Sequence, residues 1–155
     1  MTSKERLRRR TIAAGGPLAT ELPATARGNG KVILIVDDEP LLVELAVERL
    51  TELGYAVMAY TSSPDALQAF LDSPSKIDLV LTDETMSELS GCELVIAIRA
   101  RRRDVPAIIM SGDVTTALIK RARKAGVSEV LNKPLTTEVV ADAIARCLQS
   151  NNTKP

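Results

Sequence analysis

From Lys31 onward the apolar positions switch repeatedly between two patterns. "KVILIVDDEP" is an unbroken run of β-branched and aliphatic residues closed by acids and a proline, as expected for a parallel strand buried on both faces. "PLLVELAVERLTELG" then predicts a helix, with Leu42, Leu45, Ala46, Leu50 and Leu53 along one stripe and Gly54 as C-cap. The alternation continues through "YAVMAYT" as a strand and "SPDALQAFLDS" as a helix, capped by Ser63 with Pro64 at its first position. "IDLVLTD", "PAIIMSG" and "SEVLNKP" read as the third, fourth and fifth strands. "GCELVIAIRARRR", "TTALIKRARKAG" and "TTEVVADAIARCL" read as the helices that follow them.

Strands alternating one for one with helices predict an α/β fold: a five-stranded parallel sheet, doubly wound (βα)5, with right-handed crossovers and helices on both faces. The working site of such a sheet lies beyond the carboxyl ends of its strands, at the topological switch point. Here those ends carry Asp37 and Asp38 (first strand), Asp83 (third), Ser111 (fourth) and Lys133 (fifth). Each has a plain structural use. Asp37 or Asp38 can cap the first helix, Asp83 can cap a turn, Ser111 before Gly112 is a turn residue, and Lys133 is a solvated charge. Their conjunction on one rim is what demands an organising partner, because gathered carboxylates repel one another.

Composition narrows that partner. The 155-residue chain contains no histidine, so it supplies no His base, His phosphodonor or His metal ligand. Three acids without His or Cys suit a hard divalent cation, Mg²⁺, and not zinc. Lys133 and Ser111 are then left to hold the oxygens of a phosphoryl group, with Asp83 as nucleophile. Cys92 and Cys147 each lie in an apolar helical pattern, which predicts buried free thiols in a reducing, cytoplasmic setting.

Charge divides the chain. Of twenty basic and twenty acidic side chains, residues 1–30 hold six and two, leaving fourteen and eighteen in residues 31–155. Neutral overall charge and 2 % aromatic content argue against direct nucleic-acid binding. No segment approaches the roughly 18 apolar residues of a membrane span. Residues 1–30 read as a basic, flexible N-terminal tail, 31–149 as the domain, and 150–155 as a short C-terminal tail. The arginines before "TIAAGGPLA" also invite an export-signal reading, with "ATA" as cleavage site. Two glycines, Pro17 and Glu21 count against it.

"ILIVDDEP", "DLVLTDETMSELSG", "IIMSG" and "LNKP", in this order and spacing, resemble the response-regulator receiver domain of two-component signalling. The resemblance implies a flavodoxin-like receiver fold in which Asp83 accepts a phosphoryl group from the phosphohistidine of a histidine kinase or histidine phosphotransfer protein. It implies Mg²⁺ held by Asp37, Asp38, Asp83 and the backbone carbonyl of Thr85, with Ser111 and Lys133 on the acyl phosphate. It further implies a phosphoacceptor with at most slow self-dephosphorylation in place of an enzyme. Output would pass through the fourth helix, fifth strand and fifth helix to a downstream protein target or into a homodimer. "SNNTKP" after the last helix leaves no room here for a DNA-binding helix-turn-helix, so the expectation is a phosphorelay intermediate or phosphate sink. "LATELPATARGNGKVILIVDDEP" also resembles the join between kinase and receiver in a hybrid histidine kinase.

Four positions bear on the match to the family pattern. Val130 stands where an aromatic switch residue is usual, and Ser87 where proline usually follows "DETM". Thr85 and Asp113 occupy the positions that tune acyl-phosphate lifetime. The basic run Lys120, Arg121, Arg123 and Lys124 reads either as a solvated helix face or as a partner surface; Arg99, Arg101, Arg102 and Arg103 suit the end of a helix dipole. Two other functions stay open. One is a pseudo-receiver that binds a protein constitutively without phosphorylation. The other is an Asp-nucleophile phosphatase using the "DDEP" strand, which leaves Asp83 and Lys133 without a role.

Overall fold

A computed structural model describes residues 28–152. Its elements run β1 (Val32–Val36), α1 (Pro40–Glu52), β2 (Ala56–Tyr60), α2 (Ser63–Asp72), a 3₁₀ turn (Pro74–Lys76), β3 (Leu79–Asp83), α3 (Gly91–Arg101), β4 (Ala107–Ser111), α4 (Thr116–Ala125), β5 (Glu129–Asn132) and α5 (Thr137–Asn152). The strands form one parallel sheet in the order β2-β1-β3-β4-β5. Strand order reverses between β1 and β3, which puts a crevice at their carboxyl ends.

Period-two alternation splits the core into two layers. Ile33, Ile35, Leu79, Leu81, Ile108 and Met110 face α1 and α5. Leu34, Val36, Val80, Ala107 and Ile109 face the other side with Phe70, Leu94, Ile98 and Leu118. β3 and β4 are buried at every position, which is why they read as unbroken apolar runs.

The α1 stripe expected from sequence is corrected. Val43, Val47, Leu50 and Leu53 pack into the core, whereas Leu42 and Leu45 are 40 % and 49 % exposed. Six of the seven residues 41–47 are apolar, so periodicity admitted two stripes, and the sheet took the compact β-branched pair. The α2 cap is also one residue earlier: Ser62 is the N-cap, accepting from the Asp65 N–H, and Ser63 and Pro64 are the first helical residues. Ser63 instead points inward and accepts from the Leu89 N–H at 2.9 Å.

Both edges of the folded unit lie slightly outside 31–149. Gly28 is buried and donates to the Leu53 carbonyl, Gly30 donates to that of Gly54, and α5 continues through Ser150 and Asn151 to Asn152. The rest of the N-terminal tail, with its export-signal alternative, and the last three residues lie outside the described residues. Among the described residues no helix is long and apolar enough to cross a membrane.

Candidate functional site

β1, β3 and β5 deliver three of the expected side chains to one point. Lys133, one residue beyond β5, places its ammonium 2.9 Å from Asp83 Oδ1 and 3.1 Å from Asp37 Oδ2. Asp37 and Asp83 are 3 % and 7 % exposed. Asp38 is exposed, yet a carboxylate oxygen from each of Asp37, Asp38 and Asp83 lies within 4.8 Å of the others. Ser111 is buried at the end of β4, and its Oγ accepts the Asp113 N–H at 3.1 Å. Thr85 is exposed in the loop after β3. The Lys133–Pro134 peptide is cis.

Neither Asp37 nor Asp38 is the N-cap of α1, although Asp37 closes the turn that leads into it. The N-cap of α1 is Glu39, whose side chain makes no capping bond; Asp37 Oδ1 instead accepts the Glu39 N–H at 3.0 Å, leaving Oδ2 for Lys133. For Ser111 the turn role and a place at the site coexist.

Electrostatics match the packing. Burial pushes Asp83 above the ordinary carboxylate value; the Lys133 hydrogen bond opposes this, and the charges of Asp37 and Asp38 reinforce it. Burial works against the Lys133 ammonium, but its hydrogen bonds to Asp83 and Asp37 outweigh that and raise its pKa. A desolvated carboxylate aimed from a strand end is a stronger nucleophile than one in water. Three carboxylates against one lysine leave the site short of positive charge, and an all-oxygen donor set around a gap of this size fits Mg²⁺.

Sequence reasoning missed Glu84. It is 7 % exposed, its Oε1 accepts the Cys92 N–H at 2.9 Å, and its Oε2 takes Arg121 at 3.2 Å. Cys92, beside it, is a free thiol pushed up to about 12 by burial and by Glu84, and Cys147 likewise by burial and Glu129. Both are inert at neutral pH. Arg102 donates to the carbonyls of Pro74 and Ile77, and Arg99 to that of Val105. These two arginines are therefore backbone staples more than dipole counter-charges.

An open groove of about 860 Å³ runs beside the site between α1 and the loop into α5. Leu42, Leu45, Leu135 and Val140 line it, and it reaches Asp37 and Lys133. The exposed leucines of α1 thus border the site.

Comparison with known proteins agrees with the geometry. Transcriptional regulatory protein GlrR of Escherichia coli K12 is 31 % identical over 119 residues, covering 77 % of this chain and 26 % of its own length. Sensor histidine kinase RcsC of the same strain is 29 % identical over 130 residues, covering 81 % of this chain and 14 % of its own length. The chain thus spans about a quarter or less of the length of these curated relatives. A response regulator receiver domain protein from Clostridium thermocellum superposes with a TM-score of 0.75 at 29 % identity, covering 79 % of this chain and 97 % of that one. The family model of the response regulator receiver domain matches residues 33–145, and the chain belongs to that family of two-component signalling domains.

Proposed function

We propose that this receiver domain is phosphorylated on Asp83 by the phosphohistidine of a histidine kinase or histidine phosphotransfer protein. The observation that carries the reading is the Lys133 ammonium shared between Asp83 and Asp37, with Asp38 and Ser111 on the same rim. An Asp83 oxygen attacks phosphorus, the new P–O bond forms as the P–N bond breaks, and the imidazole nitrogen leaves with the electron pair and takes up a proton. Lys133 follows the charge onto the phosphoryl oxygens, and the Ser111 hydroxyl donates to one of them. Asp37, Asp38, Asp83 and the Thr85 carbonyl are the groups that would hold Mg²⁺, which supplies charge neutralisation when bound. The apolar groove along α1 offers the donor protein a surface within reach of Asp83.

Phosphorylation adds up to about two negative charges at the rim. With Ser111 at the end of β4 and Lys133 just after β5, the change biases the α4–β5–α5 face toward a second arrangement that a downstream protein reads. Val130 is half-buried against the α2–α4 side of the core, so no aromatic rotation carries this shift. The chain is a phosphoacceptor with slow self-dephosphorylation at most. Its likeness to part of a sensor histidine kinase and to part of a transcriptional regulator fits a receiver module within a phosphorelay.

Intact-mass spectrometry after incubation with acetyl phosphate and Mg²⁺ tests the reading, with Asp83→Asn and a chelated sample as controls. A hydroxylamine-labile gain of one phosphoryl group in the wild type only is the expected result. Without that gain, and without Mg²⁺ binding, the constitutive binding module takes its place.

A further inference from the structure

Helix α4 carries a charge pattern that the site at Asp83 leaves unused. Lys120, Arg121, Arg123 and Lys124 are all exposed, and no acid lies between Thr116 and Ala125. Leu118, Ala122 and Ala125 are its buried stripe. At 3.6 residues per turn Lys120, Arg123 and Lys124 occupy the opposite, outward face, with Ile119 at one border and Arg121 at the other. Ile119 is an exposed large apolar residue. Among the described residues Lys120, Arg123 and Lys124 make no ion pair.

Arg121 does have a partner, and the identity of that partner matters. Glu84 directly follows Asp83, and it is fixed to elements other than α4. Its backbone N–H donates to Met110 of β4, its carbonyl accepts the Gly91 N–H of α3, and its carboxylate accepts the Cys92 N–H. A shift that carries α4 away from β3 therefore lengthens the Glu84–Arg121 contact, because Glu84 is held by β4 and α3. Ser111 opens the connection that leads into α4, so a pull on Ser111 at the phosphoacceptor site acts on the same helix.

We propose that the outward face of α4 docks an acidic segment of a partner protein, and that the Glu84–Arg121 ion pair withholds Arg121 from it in the resting state. Only the switching half rests on phosphorylation of Asp83; the surface stands by itself. A short acidic segment fits better than a nucleic acid. Residues 31–155 carry eighteen acids against fourteen bases, which repels a long polyanion but not a peptide that meets α4 alone. Twofold pairing of α4 with itself would oppose like charges, so a second copy is the poorer occupant.

The test uses the full chain and fluorescence anisotropy of a labelled amphipathic peptide of glutamate and leucine. Its glutamine counterpart serves as the neutral probe and duplex DNA as the second polyanion. The acidic peptide is expected to bind, with affinity falling about tenfold in Lys120→Glu/Lys124→Glu. The same charge change in Arg101→Glu/Arg103→Glu, at the end of α3, should cost less than about threefold. Glu84→Gln keeps an acceptor for the Cys92 N–H and frees Arg121, so it should tighten binding by the resting protein. In wild type, beryllium fluoride with Mg²⁺ should produce the same tightening. Equal losses from the two charge reversals, or duplex DNA bound as tightly as the peptide, overturn the docking surface. Unchanged affinity in Glu84→Gln overturns the tether. A chain that takes up no phosphoryl group at Asp83 still submits to both comparisons, since neither the charge reversals nor resting Glu84→Gln needs that step.

Discussion

Lys133 Nζ lies 2.9 Å from Asp83 Oδ1, so the charge that would steady a phosphoryl group already steadies the Asp83 carboxylate. Lys133→Met removes that cation and leaves Asp37 and Asp83 buried together without it. The expected loss is about 1–3 kcal/mol, the cost of stranding buried polar groups. Urea denaturation of wild type and variant measures it. Added Mg²⁺ should recover part of the loss, since it supplies the missing positive charge; an unchanged midpoint in the variant would show that the ammonium contributes nothing to the fold.

Asp83 itself works against stability. Burial, with the Asp37 and Asp38 charges, holds its pKa above the ordinary value even though Lys133 pulls it down. A raised pKa means that the fold prefers the protonated acid. That preference is present below the unfolded-state pKa and is lost as pH rises through the folded one. At neutral pH the ionised group is therefore a net cost, and Asp83→Asn should raise the denaturation midpoint in Mg²⁺-free buffer. The advantage should shrink as pH falls through the raised folded-state value toward the unfolded carboxylate value of about 4. A variant less stable than wild type at neutral pH would mean that attraction to Lys133 outweighs burial.

Asp38 separates metal binding from folding. It is exposed and makes no hydrogen bond or ion pair among the described residues, yet its oxygen completes the acidic trio. Asp38→Asn should leave the Mg²⁺-free stability within about 0.5 kcal/mol of wild type. In wild type, Mg²⁺ at ten times its dissociation constant should add about 1.4 kcal/mol. Most of that increment should vanish in the variant, as thermal melts with and without chelator would show. An increment that survives intact would move the ion away from Asp38.

The site was legible because it is built at strand ends, where composition changes abruptly from apolar to polar. Asp37, Asp83, Ser111 and Lys133 could each be placed by counting strands, with no knowledge of side-chain contacts. The α1 stripe was not legible, since Leu42 and Leu45 compete with Val43 and Val47 within a nearly all-apolar run and only the sheet decides between them. The Ser62 cap was displaced by one residue because two serines stand side by side. Glu84 was hidden for a different reason: the charged partner of its buried carboxylate, Arg121, lies 37 positions away. Long-range pairing of that kind leaves no periodicity to read. Arg102 is similar, for its reach to the carbonyls of Pro74 and Ile77 joins segments 28 and 25 positions apart.

Gly91 closes the loop that carries Asp83, and its role is one of space. A Cβ there would meet the Asp83 carbonyl oxygen at 2.5 Å and Glu84 Cα at 3.1 Å, while its own N–H donates to the Glu84 carbonyl at 3.0 Å. Gly→Ala at an unstrained position usually stabilises by about 0.4–1 kcal/mol through the unfolded chain. Here backbone must move instead, so Gly91→Ala should destabilise by about 1–3 kcal/mol, the range of overpacked sites. Because the atoms displaced belong to Asp83 and Glu84, phosphoryl uptake from acetyl phosphate should slow in the same variant. Gly112→Ala is the matched comparison. Nothing lies within 4 Å of its Cβ position and its φ is not in the left-handed region, so its stability should equal or slightly exceed that of wild type. If Gly91→Ala proves as stable as Gly112→Ala and takes up phosphoryl groups at the wild-type rate, the contact between α3 and the β3 loop is looser than these distances require.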